Sequence, residues 1–419
     1  MTDPRPRDEG KLTDATFERA RRRLGIPTRL PNPPHNYEVT WDGSRHFAHS
    51  YGDDNPLYCD PDYAKTTRWG ELIGPPTFIY AVGEDACPEP TPEQKALLRG
   101  DPWAGLGSYQ AVMAFEWWRP FRLGDRVRTL RAMVGAIDKA SAFGGRAAHE
   151  TRAQVYANQR GEPVAVQHGV WIHTERGASR ERQRENEGPQ PYSPEQLAEI
   201  DAGYEAETRN GATPRYFEDV TVGDKLPTKV KGPLRTTEMV LWHLAAGMGN
   251  TTPAVAFGLT YRVRKKVPAL FSPNALNVPD TAQRLHWEPE RAKELGLPTS
   301  YDYGSMRETW LAHLLTDWMG DDGWLWKLRC EHRRFNFVGD TTWMTGQVVD
   351  KRQDGERNEV HIEVECKNQR GVVTSPGQAI VLLPTRARPI VTLPEAPAPT
   401  MEEVILSDIE RIRREAEAG

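Results

Sequence analysis

The stretch that decides the fold is Tyr58-Cys-Asp-Pro-Asp-Tyr-Ala-Lys65, because it returns later in the chain as His286-Trp-Glu-Pro-Glu-Arg-Ala-Lys293. An acidic residue, a proline, an alanine and a lysine keep their places in both copies. Two shorter pairs follow in the same order, Gly124-Asp125 with Gly339-Asp340 and Asn-Gln-Arg-Gly at 158–161 with the same letters at 368–371. The sequence therefore predicts a tandem duplication of one structural unit.

The two copies differ at the position that matters most for chemistry, which is Tyr58 in the first and His286 in the second. Histidine titrates near neutral pH and moves protons readily, whereas tyrosine has a pKa near 10 and mostly cannot. The duplication therefore predicts one working site, at His286, and one site that has lost its chemistry.

Composition limits the class of protein. A chain of 419 residues suits two to three domains. A net charge of −5 gives no general attraction for nucleic acid. The four cysteines are scattered without metal-ligand spacing, which is typical of reduced thiols. No run approaches the roughly 20 apolar residues of a membrane span, and the N-terminus lacks a secretory pattern. We expect a cytoplasmic protein that binds neither nucleic acid, membrane nor metal.

Pattern along the chain predicts an antiparallel α+β unit, twice. Strands are expected at 109–118, 126–136, 149–158, 164–172, 324–329, 335–337, 342–349, 359–367 and 378–383. Helices are expected at 14–24, 193–205, 237–246 and 306–319. Each half should hold a long helix among about five strands, joined to the other half edge to edge.

These elements predict four segments. Residues 1–175 form the first unit and 213–385 the second. Residues 176–212 are a charged linker with a short helix, and 386–419 are a Pro-rich and helical tail.

A family resemblance rests on Phe47-Ala-His-Ser-Tyr-Gly-Asp-Asp-Asn-Pro-Leu-Tyr58 and the following Gly74-Pro-Pro-Thr-Phe78. This stretch resembles the MaoC-like dehydratases and (R)-specific enoyl-CoA hydratases, whose active motif runs Gly-Asp-x-Asn-Pro-x-His. Asp53 and Asn55 fit that motif, but Tyr58 stands at the histidine position. The first half is therefore similar to the histidine-less N-terminal half of double hot-dog dehydratases.

The resemblance implies the fold and the activity. The fold would be a tandem double hot-dog, in which a curved antiparallel sheet wraps a long helix, twice. The activity would be addition or removal of water across the 2,3 double bond of an acyl thioester, on CoA or a carrier protein. The partner would be this small-molecule thioester with no further cofactor, and the protein a monomer or homo-oligomer of double hot-dogs.

The second half matches the family at His286 and at Gly304, the glycine that opens the next helix. The family's aspartate lies five residues before the histidine, where this chain has Thr281, with Asp280 one position further back. We predict His286 and Asp280 as catalytic residues. We predict that Gly304, Ser305 and Asn250 bind the substrate.

Those residue types suit the chemistry. A histidine–aspartate pair that shares one water can handle both proton steps, because histidine is a competent base near pH 7. The N–H groups at a helix start, next to Gly304, can stabilise the charge that builds on the thioester carbonyl. In the first half, Asp53 and Asn55 are more typical of residues that order a turn.

Two alternatives to this activity stay open at this point. A hot-dog thioesterase would rely on an acidic residue and would not need His286, and a non-catalytic thioester-binding subunit would need neither. The insertion at 250–285, with Phe257, Tyr261, Phe271 and the basic run 262–266, could line the pocket, meet carrier phosphates or lie on solvated surface.

Overall fold

One large sheet organises the protein. The computed structural model describes residues 10–30, 34–141, 145–175, 187–247 and 255–418. The strands are β1 (Glu84–Asp85), β2 (Gly107–Trp117), β3 (Arg128–Ser141), β4 (Gly145–Ala157), β5 (Pro163–Thr174), β6 (Lys229–Lys231), β7 (Phe271–Pro273), β8 (Pro279–Thr281), β9 (Trp324–Glu331), β10 (Thr342–Asp354), β11 (Arg357–Asn368) and β12 (Val373–Leu382). Ten of them form one sheet in the order β1-β3-β4-β5-β2-β9-β12-β11-β10-β6, and β7 pairs with β8 in a separate hairpin.

The sheet contains the same unit twice. The first half contributes β3-β4-β5-β2 and the second half contributes β10-β11-β12-β9, which is the same order. The outer strands differ, because β1 runs parallel to β3 whereas β6 runs antiparallel to β10. The halves meet where β2 pairs antiparallel with β9, with Phe115 opposite Leu328. This pairing turns two edge strands into central ones. The α+β duplication joined edge to edge is thus confirmed.

The helices lie at the predicted places, with differences in length. The α-helices are Asp14–Arg21, Trp41–Ser50, Pro56–Cys59, Pro61–Ala64, Pro92–Leu97, Pro194–Glu205, Thr236–Ala246, Phe257–Lys266, Pro289–Glu294, Gly304–Met319 and Met401–Ala418. Short 3-10 turns are Pro76–Tyr80, Phe217–Asp219, Pro268–Leu270 and Ala282–His286. Of these, we call Trp41–Ser50 the N-half helix and Gly304–Met319 the C-half helix.

The C-half helix is buried on all sides. Its apolar stripe was expected to be core, and Met306, Trp310, Leu314, Leu315 and Trp318 are indeed buried. The polar face is buried as well, including Arg307, Glu308, His313 and Asp317. The reason is that the first half covers this face, as the 5.6 Å ring contact between Tyr51 and His313 illustrates.

The N-half helix is short, so the expectation of a long helix in each half is wrong for the first half. The helix ends at Ser50, and Gly52 then adopts a left-handed conformation (φ 75°). Asp53 Oδ1 accepts the Asn55 N–H at 2.9 Å, and Asn55 Oδ1 accepts the Leu57 N–H at 3.0 Å. The two side chains therefore order the turn that stops the helix, as predicted for them.

The strand expected at 335–337 does not form. The backbone groups of this segment bond to the loop before the C-half helix, with Asn336 O accepting the Asp302 N–H at 2.9 Å and Val338 N–H donating to Ser300 O at 2.8 Å. Only one isolated bridge, between Tyr301 and Phe337, results. The aromatic residues gave a strand pattern, but their backbone partners lie in a loop rather than a neighbouring strand.

The C-terminal helix, Met401–Ala418, packs on the outer face of the first half. Val404, Ile405 and Ile412 join a buried cluster with Leu130 and Val155 of β3 and β4. The tail thus completes the core on the side of the sheet that faces away from the N-half helix. None of the helices within the described ranges is long and apolar enough to cross a membrane.

Candidate active site

A cavity of about 710 Å³ is shared by the two halves. Its wall includes the start of the C-half helix and the inner face of the first half's sheet. Residues of the second half on this wall include Gln283, His286, Tyr303, Gly304 and Ser305, and those of the first half include Tyr80, Arg131, Gln154, Tyr156 and Gln167. Three of the predicted site residues, His286, Gly304 and Ser305, therefore lie around one space.

His286 ends the 3-10 turn Ala282–His286, which begins where the Thr281 hydroxyl accepts the Gln283 N–H. Its Nδ1 lies 2.9 Å from the backbone oxygen of Tyr301. A carbonyl oxygen can only accept, so Nδ1 carries the hydrogen and Nε2 keeps its lone pair. The ring also stacks on Tyr303, with centroids 3.8 Å apart. The imidazole is thus held in one orientation as a base.

The pKa of His286 keeps it neutral. Burial lowers this pKa from 6.5 to about 4, and the hydrogen bond to Tyr301 opposes the shift only partly. In the described part of the chain, no carboxylate oxygen lies within 4 Å of an imidazole nitrogen of His286 to favour its charged form. At pH 7 the ring is therefore neutral, with a lone pair on Nε2.

Gly304 and Ser305 open the C-half helix beside this histidine. Within the described ranges, neither backbone N–H has a hydrogen-bond acceptor, as expected for the first turn of a helix. A side chain at position 304 would place its Cβ 2.8 Å from Nε2 of His332. Glycine is therefore required here by close packing, and the helix start presents two free donors and its positive dipole end to the cavity.

Sequence reasoning missed a buried polar cluster one turn into this helix. Glu308 is fully buried and accepts hydrogen bonds from His332 Nε2 at 2.7 Å, from Gln110 Nε2 at 3.2 Å and from the Tyr80 hydroxyl. Burial lowers the pKa of His332, and the bond to Glu308 opposes that effect. The spacing of Gly304 and Glu308 on one helix face was visible in the sequence, but the partners from the first half were not.

A second missed group holds Tyr303. The Tyr303 hydroxyl lies 3.1 Å from His243 Nε2 and 3.2 Å from Gln283 Oε1. Burial lowers the pKa of His243. Because Tyr303 stacks on His286, these bonds fix the ring that positions the predicted base.

The structure does not bring Asp280 to His286. The Asp280 carboxylate accepts the N–H of Thr281 at 2.7 Å, at the end of the β7–β8 hairpin. Asp302 follows the Tyr301 carbonyl that holds His286, yet its carboxylate lies 3.0 Å from Arg307 Nε. Burial raises the pKa of Asp302 to about 7, against the effect of Arg307. The identity of an acid partner for His286 stays a prediction. Asn250, predicted to bind the substrate, lies outside the described residues.

Tyr58 is not part of the cavity wall. It is 2% exposed and belongs to the main hydrophobic core. The first half instead lines the cavity with the inner face of its sheet.

Asp53 belongs to an ion-pair network that joins the two halves. Its Oδ1 lies 3.4 Å from His313 Nε2, which in turn lies 3.2 Å from Asp317 Oδ2. These three side chains could converge on a metal ion. Lys229 Nζ at 2.8 Å and Arg209 Nε at 3.0 Å from Asp317 already supply positive charge there. Asp53 thus has a structural role, as its sequence context suggested.

The insertion places its basic run on the surface. The helix Phe257–Lys266 has no buried residue, with Phe257 94% exposed. From the described part of the insertion, only Leu270, Ala282, Gln283 and Leu285 line the cavity. Of the three readings of this segment, solvated surface fits the residues at 257–266.

Comparison with known proteins finds one family model and several relatives. The model for the FAS1-like dehydratase domain region matches residues 30–167. A UPF0336 protein of Streptomyces avermitilis is 31% identical over 137 residues, which are 32% of this chain and 83% of that protein. A probable enoyl-CoA hydratase alpha subunit of Thermomonospora curvata is 28% identical over 153 residues, or 35% of this chain and 46% of that one.

Solved structures resemble almost the whole chain in fold. A MaoC-like dehydratase superposes with a TM-score of 0.57 at 18% identity, covering 86% of this chain and 98% of its own. A putative MaoC domain protein dehydratase of Chloroflexus aurantiacus gives a TM-score of 0.51 at 12% identity, covering 87% and 96%. At these identities the likeness concerns the fold.

Proposed function

Because this chain belongs to the MaoC-like dehydratase family, we propose that it adds or removes water across the 2,3 double bond of an acyl thioester. The observation that carries the proposal is the cavity where the neutral His286 faces the same space as the free N–H groups of Gly304 and Ser305. The thioester is carried by CoA or a carrier protein and needs no other cofactor.

The chemistry assigns a role to each group. The thioester oxygen accepts hydrogen bonds from the Gly304 and Ser305 N–H groups, which stabilise the negative charge as it builds. Nε2 of His286 takes a proton from water while the water oxygen bonds to C3. The imidazolium then returns the proton to C2, so that one water is added in total. Dehydration runs through the same steps in reverse.

The test is an enoyl-CoA hydration assay with the whole chain, in which the reaction is measured as the loss of the enoyl absorbance. His286→Ala should lower kcat/KM by about 10²–10⁴, the usual contribution of a general base. Tyr58→Phe should leave kcat/KM unchanged, because Tyr58 lies in the core away from the cavity wall. Asp280→Asn in the same assay tests the predicted acid partner.

Two outcomes would contradict the proposal. Acyl-CoA hydrolysis that survives His286→Ala would indicate a thioesterase. Tight acyl-CoA binding without turnover would indicate a binding subunit.

A further inference from the structure

A row of hydrogen-bonding side chains crosses the inner face of the first half's sheet. Arg131 of β3 pairs in register with Gln154 of β4, and Gln154 pairs with Gln167 of β5. Directly paired residues point to the same side of a sheet, and all three line the cavity. Two strand spacings separate Gln167 from Arg131, which amounts to about 10 Å.

The row starts near the reacting centre. Gln167 Nε2 donates to the Tyr80 hydroxyl at 3.1 Å, and Tyr80 donates to Glu308 one turn inside the C-half helix. Tyr156 bonds to Gln167 Oε1 at 3.2 Å and receives Gln154 Nε2 at 2.6 Å. A polar wall therefore extends from the helix that would hold the thioester carbonyl to the Arg131 end of the cavity.

Arg131 ends this row as a cation without an ion-pair contact, although the charges of Glu150 and Asp85 nearby act to raise its pKa. Its guanidinium donates to two neutral oxygens, Thr28 Oγ1 at 3.4 Å and Arg29 O at 3.2 Å. Among residues of the described ranges, no carboxylate oxygen lies within 4 Å of it. Its neighbour Arg152 differs, because Glu150 binds Arg152 with two hydrogen bonds of 2.6 and 2.9 Å.

Such a cation favours an anionic ligand. Burial lowers the pKa of Arg131 to about 10, so the group stays charged at neutral pH. A charge held away from water without a partner is costly, and a planar guanidinium binds carboxylate or phosphate through paired hydrogen bonds. The Arg131 end of the cavity is thus built for a negative group rather than for an aliphatic chain end.

We propose that Arg131, with Gln154 beside it, binds an anionic group of the acyl thioester. The group is either a carboxylate on the acyl chain or a phosphate on its carrier, since both present the same oxygen chemistry. The inference rests on the thioester binding proposed above, but it does not require turnover.

Calorimetric titration of the full-length protein with saturated thioesters tests the inference without any chemistry. Adipyl-CoA carries a terminal carboxylate, and hexanoyl-CoA of the same length does not. If the anionic group is the acyl carboxylate, the unmodified protein should bind adipyl-CoA at least tenfold more tightly than hexanoyl-CoA. Arg131→Gln should remove this preference, and Arg131→Lys should keep part of it. Arg128→Gln, the same charge change at an exposed position of β3, is the matched control.

The pantetheine thioesters of the same two acids separate the sources of the anion, because they lack the phosphates of CoA. If Arg131→Gln still weakens adipyl-pantetheine selectively, the ligand is the acyl carboxylate. If it weakens both CoA thioesters equally and neither pantetheine thioester, the ligand is a carrier phosphate.

Other outcomes overturn the inference. In the first, Arg131→Gln leaves all four dissociation constants unchanged. In the second, it raises all four by the same factor, including that of hexanoyl-pantetheine, which has no anionic group. If the unmodified protein binds none of the four compounds, the proposed function fails together with this site, and that result is distinct from equal binding of all four.

Discussion

The hydrogen bond from His286 Nδ1 to the Tyr301 carbonyl has two effects at the residue scale. It fixes the tautomer, so that the lone pair of Nε2 is available to the cavity. It also holds the ring where burial opposes protonation. A histidine in this state is a weak base but an uncharged one over a wide range of pH.

This state predicts the pH dependence of activity. The acid limb of kcat/KM should fall near pH 4 to 5 rather than at the ordinary histidine value of 6.5, because burial lowers the pKa of His286 to about 4. The measurement is a kcat/KM profile in buffers of constant ionic strength.

The same shift has a sign for stability. Because the folded pKa is below the unfolded one, the neutral ring favours the folded state above pH 6.5, and this preference is lost as the pH falls through 4. His286→Asn should remove this part of the pH dependence of unfolding. In the kcat/KM profile, an acid limb at pH 6.5 or higher would show that burial does not lower the pKa of His286.

Sequence reasoning at this scale reached some residues and not others. His286 and Gly304 could be predicted, because both stand in local motifs whose chemistry is readable from neighbouring letters. Glu308 and its partner Tyr80 could not, because 228 positions separate them and only the fold brings them together. Sequence distance from His286 favours Asp280, but in the β7–β8 hairpin its carboxylate accepts the backbone N–H of Thr281 instead.

At the scale of elements, the C-terminal helix is part of the first half's core. It covers the apolar outer face of β3 and β4, which would otherwise meet water. Sequence pattern predicted the helix but not its place, because an amphipathic stripe does not say which surface it covers.

The helix should therefore contribute to global stability. Ile405→Ala removes a side chain that is 2% exposed and should lower the free energy of unfolding by about 2–5 kcal/mol. Leu406→Ala, one position along at 55% exposure, should change it by no more than about 0.5 kcal/mol. Urea denaturation of both variants gives the comparison, and equal effects would show that the helix does not dock as described.

At the scale of the whole molecule, buried charge ties the halves together. Asp317 of the C-half helix contacts Lys229, Arg209 and His313, and His313 reaches Asp53 of the first half. Burial alone would raise the pKa of Asp317, but the contact with His313 and the charge of Lys229 hold it well below its usual value. The aspartate is thus ionised under all ordinary conditions.

Removing this charge should destabilise the protein. Asp317→Asn leaves the cations Lys229 and Arg209 with less compensation and should lower the free energy of unfolding by about 3–5 kcal/mol at pH 7. Because the folded pKa is depressed, the difference from the unmodified protein should shrink as the pH falls below about 4. Glu290→Gln, whose side chain is 75% exposed, is the control and should have almost no effect in the same denaturation experiment.

The duplicated fold was predictable from the repeat, whereas the cavity was not. Repeated motifs predict two similar units. Unpaired edge strands favour pairing, which predicts that the units join edge to edge. The cavity wall joins residues that lie far apart in the chain, such as Tyr80 and His286. The length of the N-half helix was not predictable either, because it depends on the turn around Gly52 and Asp53. The residues of the turn explain its shape only once their hydrogen bonds are known.

The antiparallel pairing of β2 with β9 has a consequence for how such proteins diversify. One continuous sheet keeps a single copy of the first half permanently beside a single copy of the half that holds His286. If the proposed function holds, mutations on the inner face of β3, β4 and β5 would change which acyl groups are accepted while leaving His286 and Gly304 untouched. The covalent pairing thus separates selection for reactivity from selection for substrate shape, and it allows new specificities to evolve without a partner subunit having to follow.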